Sequence, residues 1–162
     1  MAFQSSVRQF QANGLPGEIS EDGPTRARSW ILDSDGAAQT VGFAFTQNGD
    51  GIAQVGESVS AAEAFVGILG RPKGQVLQGD GSTALGPFYN VPDNQNGELI
   101  TMGLVYVNLI GAGAYEDPVF FVDASGALGA GAPGAGQTAI ANARVRRDTT
   151  GAGLSVIELI IT

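Results

Sequence analysis

An all-β fold, either a β-sandwich or a β-barrel, is what the sequence predicts, and three observations carry that prediction. Apolar residues recur with a period of two in several short runs. Gly, Pro, Asn and Asp separate those runs at short intervals, and no stretch sustains a helical period beyond a few turns. A chain of 162 residues with 43% hydrophobic content buries one core well and is short for two, while being too apolar to stay unfolded. The expectation is an extended N-terminal arm over residues 1–38 and a single β domain over 39–162, joined by Gly-rich loops.

Taken in order, residues 1–38 carry turn residues, charges of both signs and isolated large apolar residues without a sustained period, which reads as an arm that docks on a partner. Residues 40–46, TVGFAFT, set Val41, Phe43 and Phe45 against smaller neighbours, and the NGDG that ends at Gly51 supplies a turn into IAQVG, so a hairpin is expected. AEAFVGILG, 62–70, reads as a strand closed by RPKG, where proline cannot donate to a ladder; the SVSAAEAF before it suits one helical turn. The longest extended signal is 96–110, with Leu99, Val105, Val107 and Leu109 expected on one face and Ile100, Met102, Leu104, Tyr106 and Ile110 on the other. Both faces are apolar, so both are expected to be covered. The closing segment reads as two strands joined by a Thr-Gly turn, with Ala139, Ala141, Ala143 and Val145 on one face and Ile157, Leu159 and Ile161 on one face of the partner.

The residue types that are missing narrow the function. There is no Cys and no His, which removes disulfides, thiolate chemistry, the usual zinc ligands and the Ser-His-Asp triad. A net charge of −8 disfavours nucleic acid and anionic membranes as partners, because both attract cations. The N-terminus lacks a signal-peptide pattern, and the nearly apolar run from Leu99 to Ile110 is too short to span a bilayer as a helix.

Several motifs invite a chemical reading. Gly129, Gly131 and Gly134 fit G-x-G-x-x-G, and Gly131, Gly136, Gln137 and Thr138 fit a P-loop with its lysine replaced. Neither has the helix that phosphate binding needs, since TAIANARVRRD alternates like a strand, so the stretch 126–136 reads as a pliable loop between two strands. DSDG, NGDG and DNQNGE are incomplete calcium loops and read as turns. Lys73 stands near no serine in a nucleophile elbow. The arginines weigh more in an acidic chain: Arg26 and Arg28 in the arm, and Arg144, Arg146 and Arg147 near the end. Arg144 and Arg146 share a strand face and suit either carboxylates of a neighbouring chain or intrachain pairing. Trp30 suits a core plug or an interface anchor.

The start of the chain, with Phe3, Gln4, Val7, Arg8, Pro16, Gly17, Pro24, Arg26 and Ala27, resembles the structural cement (head decoration) proteins of tailed bacteriophages. VGFAFTQNGDG, AFVGILGRP and NARVRRDTTGAGLSVIEL follow in an order similar to that family's. The resemblance implies a β-rich protein on the outer capsid surface of the virion, assembled in the host cytoplasm, often a homotrimer, with the major capsid protein as partner. It implies no catalytic residue, cofactor or metal. Candidate contacts to capsid or sister subunits are Phe3, Val7, Arg8, Phe10, Leu15, Arg26, Arg28, Trp30, Arg144 and Arg146. On this reading, removing residues 1–30 abolishes docking and leaves the β domain folded. The alternative is a carbohydrate-binding or adhesin-type β-sandwich, which needs a flat set of exposed aromatics drawn from Phe88, Tyr89, Tyr106 and Tyr115.

Overall fold

The structure, a computed structural model, describes residues 14–21, 23–33, 39–48, 51–55, 64–71, 90–91 and 94–161. Its strands in chain order are β1 (Arg26–Ile31), β2 (Gln39–Thr40), β3 (Ala44–Asn48), β4 (Gly51–Gln54), β5 (Ala64–Leu69), β6 (Asn90–Val91), β7 (Asn96–Leu109), β8 (Pro118–Val122), β9 (Leu128–Ala130), β10 (Gln137–Val145) and β11 (Gly153–Ile160). Of the SVSAAEAF stretch, 58–65, read as a helical turn, residues 58–63 lie outside the described residues, and Ala64 and Phe65 begin β5.

Five strands close a barrel. β11 pairs with β10, β10 with β8, β8 with β9, and β7 completes the ring by pairing with β9 on one edge and β11 on the other. Closure removes the unpaired edges that an open sheet would present. Its interior holds Val105, Val107, Leu109, Val119, Phe121, Leu128, Ile140, Ala143, Val145, Ile157 and Leu159, all buried. β5, β3 and β4 extend the sheet from the N-terminal half of β7, and the expected β3–β4 hairpin is present, with Asn48 opposite Gly51. Ala44, Val55 and Ile68 on this extension join the barrel core. Its other face holds a second cluster, Leu32, Val41, Phe45, Ile52, Leu69, Val91 and Leu99, with Trp30 and Val66 packed against it.

β7 serves both clusters because its alternation breaks once. On β1, Arg26 lies opposite Met102 and the next residue, Ala27, lies opposite Ile100, leaving Thr101 as an extra residue on β7. Such a bulge reverses which face every later side chain meets. Ile100 therefore joins Val105, Val107 and Leu109 in the barrel, and Leu99 faces the second cluster. This corrects the expected grouping of Leu99 with the later valines. Thr101 is buried, and its hydroxyl accepts from Arg26 Nε at 3.1 Å and donates to the Arg26 carbonyl at 3.1 Å, closing both sides of the bulge. Gly103 follows at φ 130°, a conformation that strains any residue with a Cβ.

A second register shift, between Ala139 and Arg144, corrects the reading of β10 in the same way. Asn142 takes φ 58°, and Ile140 shares the core with Ala143 and Val145 while Ala139 and Ala141 are exposed. The 126–136 stretch also differs from the expected loop, since Leu128–Ala130 is β9, the strand that completes the ring. Leu128 is fully buried, and a Cβ at Gly129 would overlap the Phe120 ring. A strand of three small or buried residues carries too short a pattern to register as one in sequence.

Candidate interaction surface

Residues 14–31 run along one edge of β7. Leu15, Pro16, Gly17 and Glu18 form a turn with the Glu18 N–H donating to the Leu15 carbonyl at 3.1 Å and Gly17 at φ 79°, the geometry that Pro followed by Gly favours. Gly17 N–H donates to the Tyr106 carbonyl (2.8 Å), Tyr106 N–H to Glu18 (2.8 Å) and Ser20 N–H to Leu104 (2.8 Å), after which β1 continues antiparallel along β7 as far as Asn96. Gly14 lies so close to the Tyr106 ring that a Cβ there would overlap it. Glu18 accepts from the Leu15 N–H at 3.0 Å and pairs with Arg71 at 3.4 Å, fixing the turn further. Removing residues 1–30 would thus expose this edge of β7 and uncover the second cluster at Trp30, contrary to the expectation that the β domain would be left intact.

Three of the six large apolar residues that stay exposed among the described residues belong to this segment: Leu15 (46%), Ile19 (46%) and Ile31 (64%). Five of the six β1 residues are exposed. Alternation from the Leu32 N–H, which donates to Gln95 on the β7 side, turns the N–H and C=O of Ala27, Ser29 and Ile31 away from β7.

The outward face of the barrel beside this segment is a second surface. Met102, Leu104 and Tyr106 of β7 stand beside Ile160, Glu158 and Val156 of β11, in register. Met102, Leu104 and Tyr106 are half-buried, and Ile160 is 41% exposed. A groove of about 670 Å³ opens here, lined by residues that include Ser20, Glu21, Leu104, Tyr106, Arg146 and Arg147. Arg146 is held within the chain: its Nε donates to Glu158 at 2.7 Å, its terminal nitrogens pair with Glu158 and Glu116, and its guanidinium lies 5.5 Å from the Tyr115 ring centre. The hydrogen bond that Arg146 donates to Glu158, then the one it donates to Tyr115, raises the Arg146 pKa above its ordinary value.

Of the sequence candidates, Phe3, Val7, Arg8 and Phe10 lie outside the described residues, as do Lys73, Phe88 and Tyr89. Leu15 and Arg28 are exposed. Arg26 is engaged by Thr101 and by the Ile161 carbonyl, and Trp30 packs half-buried against the second cluster with its Nε1–H lacking an acceptor among the described residues. Arg144 is exposed and donates to its neighbour's carbonyl at 3.3 Å, so of the two arrangements open to the strand arginines, Arg146 takes the intrachain one. Glu116, Glu158 and Glu21 were missed, although Glu158 between Ile157 and Leu159 marks an outward position on its strand, and Tyr115 was named only as an aromatic of the carbohydrate-binding alternative. Tyr106 is half-buried behind Gly14 and Tyr115 stands beside Arg146, so these two tyrosines do not make a flat aromatic platform. Among the described residues no group of acidic side chains is placed to hold a metal.

The chain is similar to known proteins both in sequence family and in fold. Residues 3–160 match a family described as "Structural cement protein (E217 gp24/Pam3 gp6)". A chain from a structure described as "The capsid of Myoviridae Phage XM1" shares the fold with a TM-score of 0.70 at 19% identity, over 99% of this chain and 98% of that one. No curated protein matches.

Proposed function

The chain belongs to the phage structural cement proteins, matching that family over residues 3–160, and as such it is a capsid-associated structural protein of the virion's outer surface rather than an enzyme; we propose that it binds the assembled head as a homotrimer and ties neighbouring major capsid subunits together. The observation that carries this reading is the length of the family match, which takes in the N-terminal segment as well as the barrel. A protein that binds the assembled lattice but not dissociated subunits adds its binding free energy to the stability of the shell. Symmetry repeats the contact many times, so each copy needs only a modest affinity.

In this proposal residues 1–38 supply the docking contacts and 39–162 the platform that presents them. Phe3, Val7, Arg8 and Phe10 engage the coat, with Leu15 and Arg28 beside them. The exposure of Leu15, Ile19 and Ile31 on a segment fixed to β7 supports that assignment, since exposed apolar residues beside a rigid edge need little ordering on binding.

Because residues 14–31 are hydrogen-bonded to β7, the informative truncation ends before Gly14. Removal of residues 1–13 is expected to leave the thermal transition unchanged and to abolish co-sedimentation with undecorated heads. Full occupancy of heads by the truncated protein would refute the docking assignment.

A further inference from the structure

We infer that the groove on the outward face of the barrel is where one copy of this chain meets a second copy, with Arg147 of one against Glu21 of the other. This rests on the homo-oligomer in the reading above and names its contact surface. Glu21 from the N-terminal segment and Arg147 after β10 line the same groove, and neither side chain has an ion-pair or hydrogen-bond partner among the described residues. The other charged groups lining it, Arg146 and Glu158, neutralise each other. In a closed homotrimer the contact is heterologous, so each copy offers Glu21 to one neighbour and Arg147 to the other around the axis, and opposite unpaired charges on one chain meet that need.

The floor between them suits burial. Leu104, Tyr106 and Val156 give an apolar strip continued by Met102 and the 41%-exposed Ile160, and Tyr115 is 58% exposed at the rim. An apolar centre with Tyr, Met and Arg inside a charged margin is the usual anatomy of such contacts. Long-range charge favours the same orientation. In a chain of net charge −8, Arg147 is the cation of this groove that no carboxylate among the described residues neutralises, so it is the point that an acidic neighbour approaches with least repulsion.

The test is reciprocal charge reversal on the full-length chain. Sedimentation equilibrium is expected to show wild-type self-association that Glu21→Arg and Arg147→Glu each weaken about tenfold, with the double variant restored towards wild type. Circular dichroism should be unchanged, since both sites are exposed. A wild-type protein that stays monomeric, or a double variant no better than the singles, overturns the inference. Head binding measured in parallel separates the two readings: a monomer that still decorates heads sinks this contact alone, and an oligomer that ignores heads sinks the docking proposal instead.

Discussion

The two halves of β7 read alike in sequence and behave differently in the fold. Residues 96–100 lie between β1 and β5 in an open sheet, and their side chains divide between the two clusters. Residues 102–109 form barrel wall against β11, with Val105, Val107 and Leu109 inside and Met102, Leu104 and Tyr106 outside. One extra residue, Thr101, separates the two regimes. The difference teaches that strand parity is local: a period of two predicts a face only between bulges. It also explains how one 14-residue strand serves two layers, paired with β1 and β5 before the bulge and with β11 after it.

Inserting one alanine between Thr101 and Met102 attacks that difference most directly. With the one-residue bulge kept, Leu99 would then fall on the same face as Val105, Val107 and Leu109, so one half of the strand must turn its apolar side chains outward. Misplacing three large side chains forfeits about 1.5–3 kcal/mol each, a total comparable with the whole stability of a domain of this size. The insertion variant should show no cooperative thermal transition by circular dichroism. A transition near that of the wild type would mean that the bulge absorbs a second extra residue.

Gly103→Ala tests the same junction more gently. Gly103 holds φ 130°, and a Cβ there would lie 2.9 Å from Thr25 Cγ2. Backbone strain of this kind costs about 1–3 kcal/mol. The urea midpoint should fall accordingly, with the slope unchanged because the surface exposed on unfolding is the same. An unshifted midpoint would show that the backbone relaxes there without cost.

The parts that could be read in the sequence are those whose physics is local. β3 and β4 pair as a hairpin with Asn48 opposite Gly51, β5 ends at Leu69 just before Gly70 and the RPKG segment, and Ile157 and Leu159 share the barrel face as their spacing suggested.

 

The parts that could not be read are set by distant partners. The bulges at Thr101 and Asn142 appear only once β1 and β8 supply the opposing register, and β9 exists because β8 and β7 leave a gap that Leu128 fills. The interaction surface divides the same way. Arg146 stood out as a cation in an acidic chain, but its partners Glu116 and Glu158 lie 30 and 12 residues away and are joined to it by barrel closure. The pairing of residues 17–31 with β7 was likewise hidden, because charged and turn-rich sequence resembles an arm whether or not an edge is waiting for it.

Thr101→Val is the smallest of these changes and the most specific. Valine keeps the branched shape and the buried volume, so packing at the bulge is preserved while the hydroxyl is lost. The Arg26 carbonyl then loses the donor at 3.1 Å and Arg26 Nε loses its acceptor, although the guanidinium keeps the Ile161 carbonyl and lies near solvent. One partly buried acceptor left without a donor costs about 1–2 kcal/mol. The urea midpoint should therefore drop by less than in Gly103→Ala or by a similar amount, and hydrogen exchange should quicken at Arg26 to Arg28 while amides in the β10–β11 wall keep their protection. Equal loss of protection in both places would mean that the two halves of β7 unfold as one unit, and that the hydroxyl does not hold the open-sheet half to the barrel.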